Sequence, residues 1–78
     1  MAKKEIKSEV AGVILEIATI GQQVNAEDEL AVIEAMKMEI PLISPVGGTV
    51  ASVHVAEGAT IGEGELIVTI ETARSERW

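Results

Sequence analysis

The sequence predicts an all-β domain, a flattened antiparallel barrel or sandwich made of two similar halves. Three observations carry this. Ten Ile and nine Val stand among 78 residues, with Trp78 the sole aromatic, and β-branched residues favour strands over helices. The middle of the chain is written twice. Glycines punctuate short Val/Ile-rich runs in both copies, which marks turns between strands.

The first copy, "SEVAGVILEIATIGQQVNAEDELAVIE" (8–34), aligns with "SPVGGTVASVHVAEGATIGEGELIVTIE" (44–71). In chain order, Ser8 falls on Ser44, Val10 on Val46 and Gly12 on Gly48. Ile14 and Ile17 match Val50 and Val53, and Gly21 and Val24 match Gly58 and Ile61. Leu30 and Val32 then match Leu66 and Val68, with two single-residue shifts in the loops. Two copies are too few for a solenoid, so seven or eight short strands are expected to close into one body about a pseudo-twofold axis. Closure also removes exposed strand edges. The domain spans 8–71, and 1–7 and 72–78 read as tails.

The segment "NAEDELAVIEAMKMEI" has helix composition, with Asn25 as a cap and Leu30, Ile33, Met36 and Ile40 at helical spacing. It also alternates, with Leu30, Val32, Met36, Met38 and Ile40 on one face. Its repeat mate, "GEGELIVTIE", carries two glycines and a β-branched centre and makes a poor helix. Pro41 would stop a helix as well. The expectation is strand, turn, strand, with Lys37 at a hairpin tip where the two copies join. The pseudo-twofold sends the tip's counterpart to Ala73, so both termini leave together at the pole opposite Lys37.

Composition narrows the function. A formal net charge of −7 argues against nucleic acid, whose binding depends on neutralising phosphates. The apolar runs are far shorter than the ~20 residues of a membrane span, and Glu9 and Glu16 interrupt any signal-peptide core. With no cysteine there is no disulfide framework, and the cytoplasm is the default compartment. One histidine, His54, leaves nucleophile–base arrangements little to use. Ser8, Ser44 and Ser52 lack a base partner. The acidic "EDE" at 27–29 reads as a solvated turn.

Lys37 stands out. From Ser8 to Ala73 it is the single Lys or Arg, against eleven Asp and Glu. A lysine on a turn is usually just a solvated charge. Here it lies between Met36 and Met38, and paired methionines suit adaptable contact surfaces. Tight hairpins prefer Asn or Gly at their apex, and Ala-Met-Lys-Met has neither.

The stretch "EAMKME" closely resembles the attachment motif of the biotinyl domains, carriers in biotin-dependent carboxylases. The resemblance covers 8–71, including the repeated glycine-hydrophobic pattern and "SPVGGTV". It implies a barrel-sandwich hybrid fold and a non-catalytic carrier in which a biotin protein ligase joins biotin to Lys37 through an amide, using ATP. Glu34, Ala35, Met36, Met38 and Glu39 would form the surface the ligase reads, and the methionines would help dock the tip. Biotin carboxylase and a carboxyltransferase are the implied partners. Some acetyl-CoA carboxylase carriers insert a thumb between early strands. Ile17 to Gly21 leaves no room for one, so a thumbless carrier is expected, either free-standing or part of a longer chain.

Two other readings share the barrel. Lipoyl domains of 2-oxo acid dehydrogenase or glycine cleavage complexes present a lysine on the same turn, typically between an acidic residue and alanine. Membrane-fusion adaptors place a long helical hairpin there, and "EAMKMEIP" has no space for it. Trp78 and the segment "TARSERW" suggest no role.

Overall fold

The β-branched runs of both copies become strands, and no helix forms among the residues the computed structural model describes, 2–72. There are eight: β1 (Ala2–Lys7), β2 (Gly12–Ile17), β3 (Gln23–Val24), β4 (Glu29–Ala35), β5 (Met38–Ile43), β6 (Gly48–Val53), β7 (Thr60–Ile61) and β8 (Leu66–Thr72). They form two four-stranded antiparallel sheets, ordered β1-β8-β6-β3 and β5-β4-β2-β7. Exchanging each strand for its repeat mate turns one order into the other, so the pseudo-twofold swaps the sheets. The result is a sandwich rather than one closed ladder.

The halves match down to single hydrogen bonds. Glu27 N–H donates to Ser44 O at 2.6 Å, and Gly64 N–H donates to Ser8 O at 2.7 Å. Asn25 N–H donates to Asp28 Oδ2 at 2.8 Å and Gly62 N–H to Glu65 Oε1 at 2.9 Å. Buried Ser44 donates its hydroxyl to Val46 O at 2.6 Å, as Ser8 does to Val10 O. Between the sheets, Ile14, Leu30, Ile33, Val50, Ile67 and Ile70 are each at most 1% exposed, and they centre an aliphatic core.

Three expectations change. The repeat needs one loop shift, not two. Gly12 packs on Ile33 and Glu34 while Gly48 packs on Ile70 and Glu71, so Leu30 corresponds to Ile67, not Leu66, and Val32 to Thr69, not Val68. The shared Glu-Leu pair misleads, because the turns align through left-handed Glu27 and Gly64 (φ 76° and 84°). Lys37 therefore maps to position 74, and both that position and Ala73 lie outside the described residues, as does most of the expected C-terminal tail.

Residues 2–7, expected as a tail, form β1, paired with β8 from Ala2↔Thr72 to Lys7↔Leu66. Its three lysines hide a strand whose one buried side chain is Ile6. The alternation in β4 also changes phase. A register irregularity between Glu29 and Ala31 buries Leu30 and Ala31 in succession, and Ile33 and Ala35 then face inward while Val32 turns partly out.

The first and last described residues lie together, as Ala2 faces Thr72. Strand β8 begins beside Ser8, through the Ser8 N–H to Glu65 O bond of 2.9 Å. Four residues on, Gly12 abuts Glu34. Thus β8 starts in the half that holds Lys37 and runs away from it, which puts Ala2 and Thr72 at the other pole.

A Cβ on Gly12 would meet Glu34 O at 2.3 Å, and one on Gly48 would meet Glu71 O at 2.4 Å. Backbone cannot yield as a flexible side chain does, so Gly12→Ala or Gly48→Ala should destabilise by about 2–3 kcal/mol, most of the stability of so small a domain. Gly47→Ala, where the nearest atom is at 3.6 Å, should leave the urea unfolding midpoint nearly unchanged.

Candidate functional site

The tip is built from the pairing below it. Strands β4 and β5 pair at six positions, ending with Ala35↔Met38, so Met36 and Lys37 alone must reverse the chain. The right-handed twist of paired strands suits two-residue loops only with positive φ at both positions, the type I′ pattern. Met36 adopts φ 51° and Lys37 φ 65°. Neither is Gly or Asn, and a left-handed residue with a side chain costs roughly 1–2 kcal/mol. Of the non-glycine residues with positive φ among those described, two of three sit side by side here.

Side-chain exposure sharpens the picture. Lys37 is exposed, Met36 is 88% exposed and Met38 63%. Glu34 and Glu39 are exposed and directly opposite each other in the ladder, and like charges placed so are destabilising. Lys37 is the nearest cation along the chain. Of the six residues singled out in the sequence, five present side chains at this end of the hairpin. Ala35 does not: it is buried at 7% exposure.

Other candidates resolve into structure. His54, just after β6, has its Nε2 2.9 Å from Thr69 Oγ1. Glu27 is a left-handed turn residue, and Asp28 holds the Asn25 N–H. The connection from β2 to β3 is short, with Gln22 N–H on Thr19 O at 3.0 Å, and carries no thumb. It exposes Ile20 at 62%, a feature missed in the sequence because a lone Ile in a run of core-type residues gives no sign of facing out.

The geometry is a small sandwich with one lysine exposed at a hairpin apex of left-handed backbone. Comparison with known proteins shows where such a domain belongs. The family model described as "Biotin-requiring enzyme" matches residues 17–70. The biotinylated protein TB7.3 homolog of Mycobacterium leprae is 37% identical over 86% of this chain and 96% of its own length. The dihydrolipoyllysine-residue acetyltransferase component of the Azotobacter vinelandii pyruvate dehydrogenase complex is 38% identical over 85% of this chain but only 10% of its own. Among solved structures, a single-chain, multi-domain long-chain acyl-CoA carboxylase superposes with a TM-score of 0.87 at 28% identity, covering 91% of this chain and 7% of that one. The chain belongs to the biotin/lipoyl attachment family.

Two predictions follow from the apex. The double variant Met36→Asn/Lys37→Gly places the preferred type I′ residues there and should raise stability by roughly 1–2 kcal/mol in urea titrations. Glu39→Lys should raise the melting temperature at low salt by relieving the Glu34 repulsion. That gain should shrink in about 1 M salt, where screening reaches only ~3 Å.

Proposed function

We propose that this chain is a biotin carboxyl carrier domain in which Lys37 is the attachment residue. The observation that carries the reading is the Met36-Lys37-Met38 apex: the sole Lys or Arg between Ser8 and Thr72, exposed on a backbone held in the left-handed region. The residues fit an amide-linked biotin. Lys37 is open to solvent and gives up its proton and its charge on acylation, with loss of water. Met36 and Met38 offer soft apolar contact on either side, and Glu34 and Glu39 suit a basic partner surface. A biotin protein ligase would read this end of the hairpin.

Once attached, biotin supplies the carboxyl-carrying chemistry, and the protein supplies position. In this reading the domain does no chemistry of its own. It moves between a biotin carboxylase and a carboxyltransferase, and tethering makes each visit intramolecular at roughly millimolar effective concentration. Among the described residues no helix is long and apolar enough to cross a membrane, and the cytoplasm is the compartment this reading implies. The lipoyl-type relative supports a second reading, a lipoyl carrier. Met38, where lipoyl domains typically carry alanine, favours biotin.

Intact mass after incubation with a biotin protein ligase, biotin and ATP should rise by one biotin less one water, and Lys37→Ala and Lys37→Arg should not shift. No addition to the parent chain, with addition of lipoate by a lipoate ligase instead, would give the second reading.

A further inference from the structure

Among the described residues, Met36 and Met38 hold the only sulfur atoms. The core is Ile, Val and Leu, side chains that peroxides leave alone. Both thioethers are open to solvent, at 88% and 63% exposure, on either side of Lys37. Whatever surface reaches the Lys37 amine must also meet them. Among the described residues, the thioethers are thus gathered at the tip and kept out of the core.

We propose that Met36 and Met38 form an oxidation site that controls whether the tip is accepted for modification, a reading that rests on Lys37 being the attachment residue. The oxidant is a neutral peroxide, since Glu34 and Glu39 beside the tip disfavour anionic ones. A sulfur lone pair attacks one peroxide oxygen and the O–O bond breaks. The thioether becomes a sulfoxide, oxidised by two electrons, and hydrogen peroxide is reduced to water. Each sulfoxide replaces a soft apolar contact with a polar, chiral one. Its oxygen also accepts hydrogen bonds within reach of the Lys37 ammonium. The fold is untouched because neither side chain packs in the core. The greater exposure of Met36 makes it the first to react.

The test treats the domain and its Met36→Leu/Met38→Leu variant with hydrogen peroxide, removes the peroxide with catalase, and then measures biotin attachment by the ligase. Peptide mass mapping should find one oxygen on Met36 first and a second on Met38. Attachment kcat/KM should fall about tenfold, the scale of losing one well-placed contact, with the melting temperature unchanged. A methionine sulfoxide reductase should restore the rate. The Leu variant keeps Met1, so its rate should be the same before and after peroxide. Equal rates for oxidised and untreated parent domain, an equal loss in the Leu variant, or unfolding on oxidation would each overturn the proposal. If the untreated domain takes no biotin, the carrier reading fails first and this proposal falls with it.

Discussion

The close approach of two glycines to two strand carbonyls is the contact on which the rest of the fold depends. Gly12 brings β2 so near β4 that a single methyl would overlap Glu34 O, and Gly48 does the same between β6 and β8 at Glu71. The register beside each glycine follows: Val13↔Glu34 and Ile14↔Ile33 in one sheet, Thr49↔Glu71 and Val50↔Ile70 in the other. These rungs place Ile14, Ile33, Val50 and Ile70 together in the core. They also fix β4 two residues before the hairpin apex, so the position of Lys37 is tied to a contact inside the body.

A domain this small without cysteine has little stability to spare, and its economy lies in using each solution twice. The buried Ser8 and Ser44 hydroxyls satisfy the chain turning into β2 and β6. The Asp28 and Glu65 carboxylates hold the turns before β4 and β8. Buried backbone and hydroxyl groups left unpaired would each cost a sizeable part of the net stability. Duplication therefore brings twofold packing and, with it, a ready-made set of polar partners.

Much of this was legible in the residues. Repeated glycines and β-branched runs pointed to a two-halved sandwich, and comparison of the two copies overruled the helical composition of 25–40. The Met-Lys-Met stretch marked the hairpin apex between β4 and β5. What escaped detection has physical causes. Strand β1 carries Lys3, Lys4 and Lys7 on exposed positions, so a strand with one buried residue looked like a polar tail. The irregularity at Glu29–Ala31 shifts the alternation of β4, and no residue type announces it. The one-residue error in matching β4 to β8 arose because Glu-Leu recurs in both copies, while the feature that aligns their turns is a left-handed backbone held by Glu27 in one and Gly64 in the other. Burial of Ala35 was hidden for a related reason, since the phase of β4 decides it.

The apex sets two demands against each other. Presenting an arm calls for long side chains at the turn, whereas the strand twist calls for positive φ, which long side chains resist. The six-rung ladder of β4 and β5 settles the conflict by imposing the backbone conformation on Met36 and Lys37. Strain that persists because its surroundings over-determine it belongs at functional sites. It has a use here. A backbone already fixed at the tip leaves only the lysine arm and two methionine side chains to be ordered when a partner docks, and ordering is a main cost of association. Acylation of Lys37 would then remove the one cation between Glu34 and Glu39 along the chain. The loaded tip would be more acidic than the unloaded one, so a basic partner surface could tell the two apart by charge as well as by the attached group.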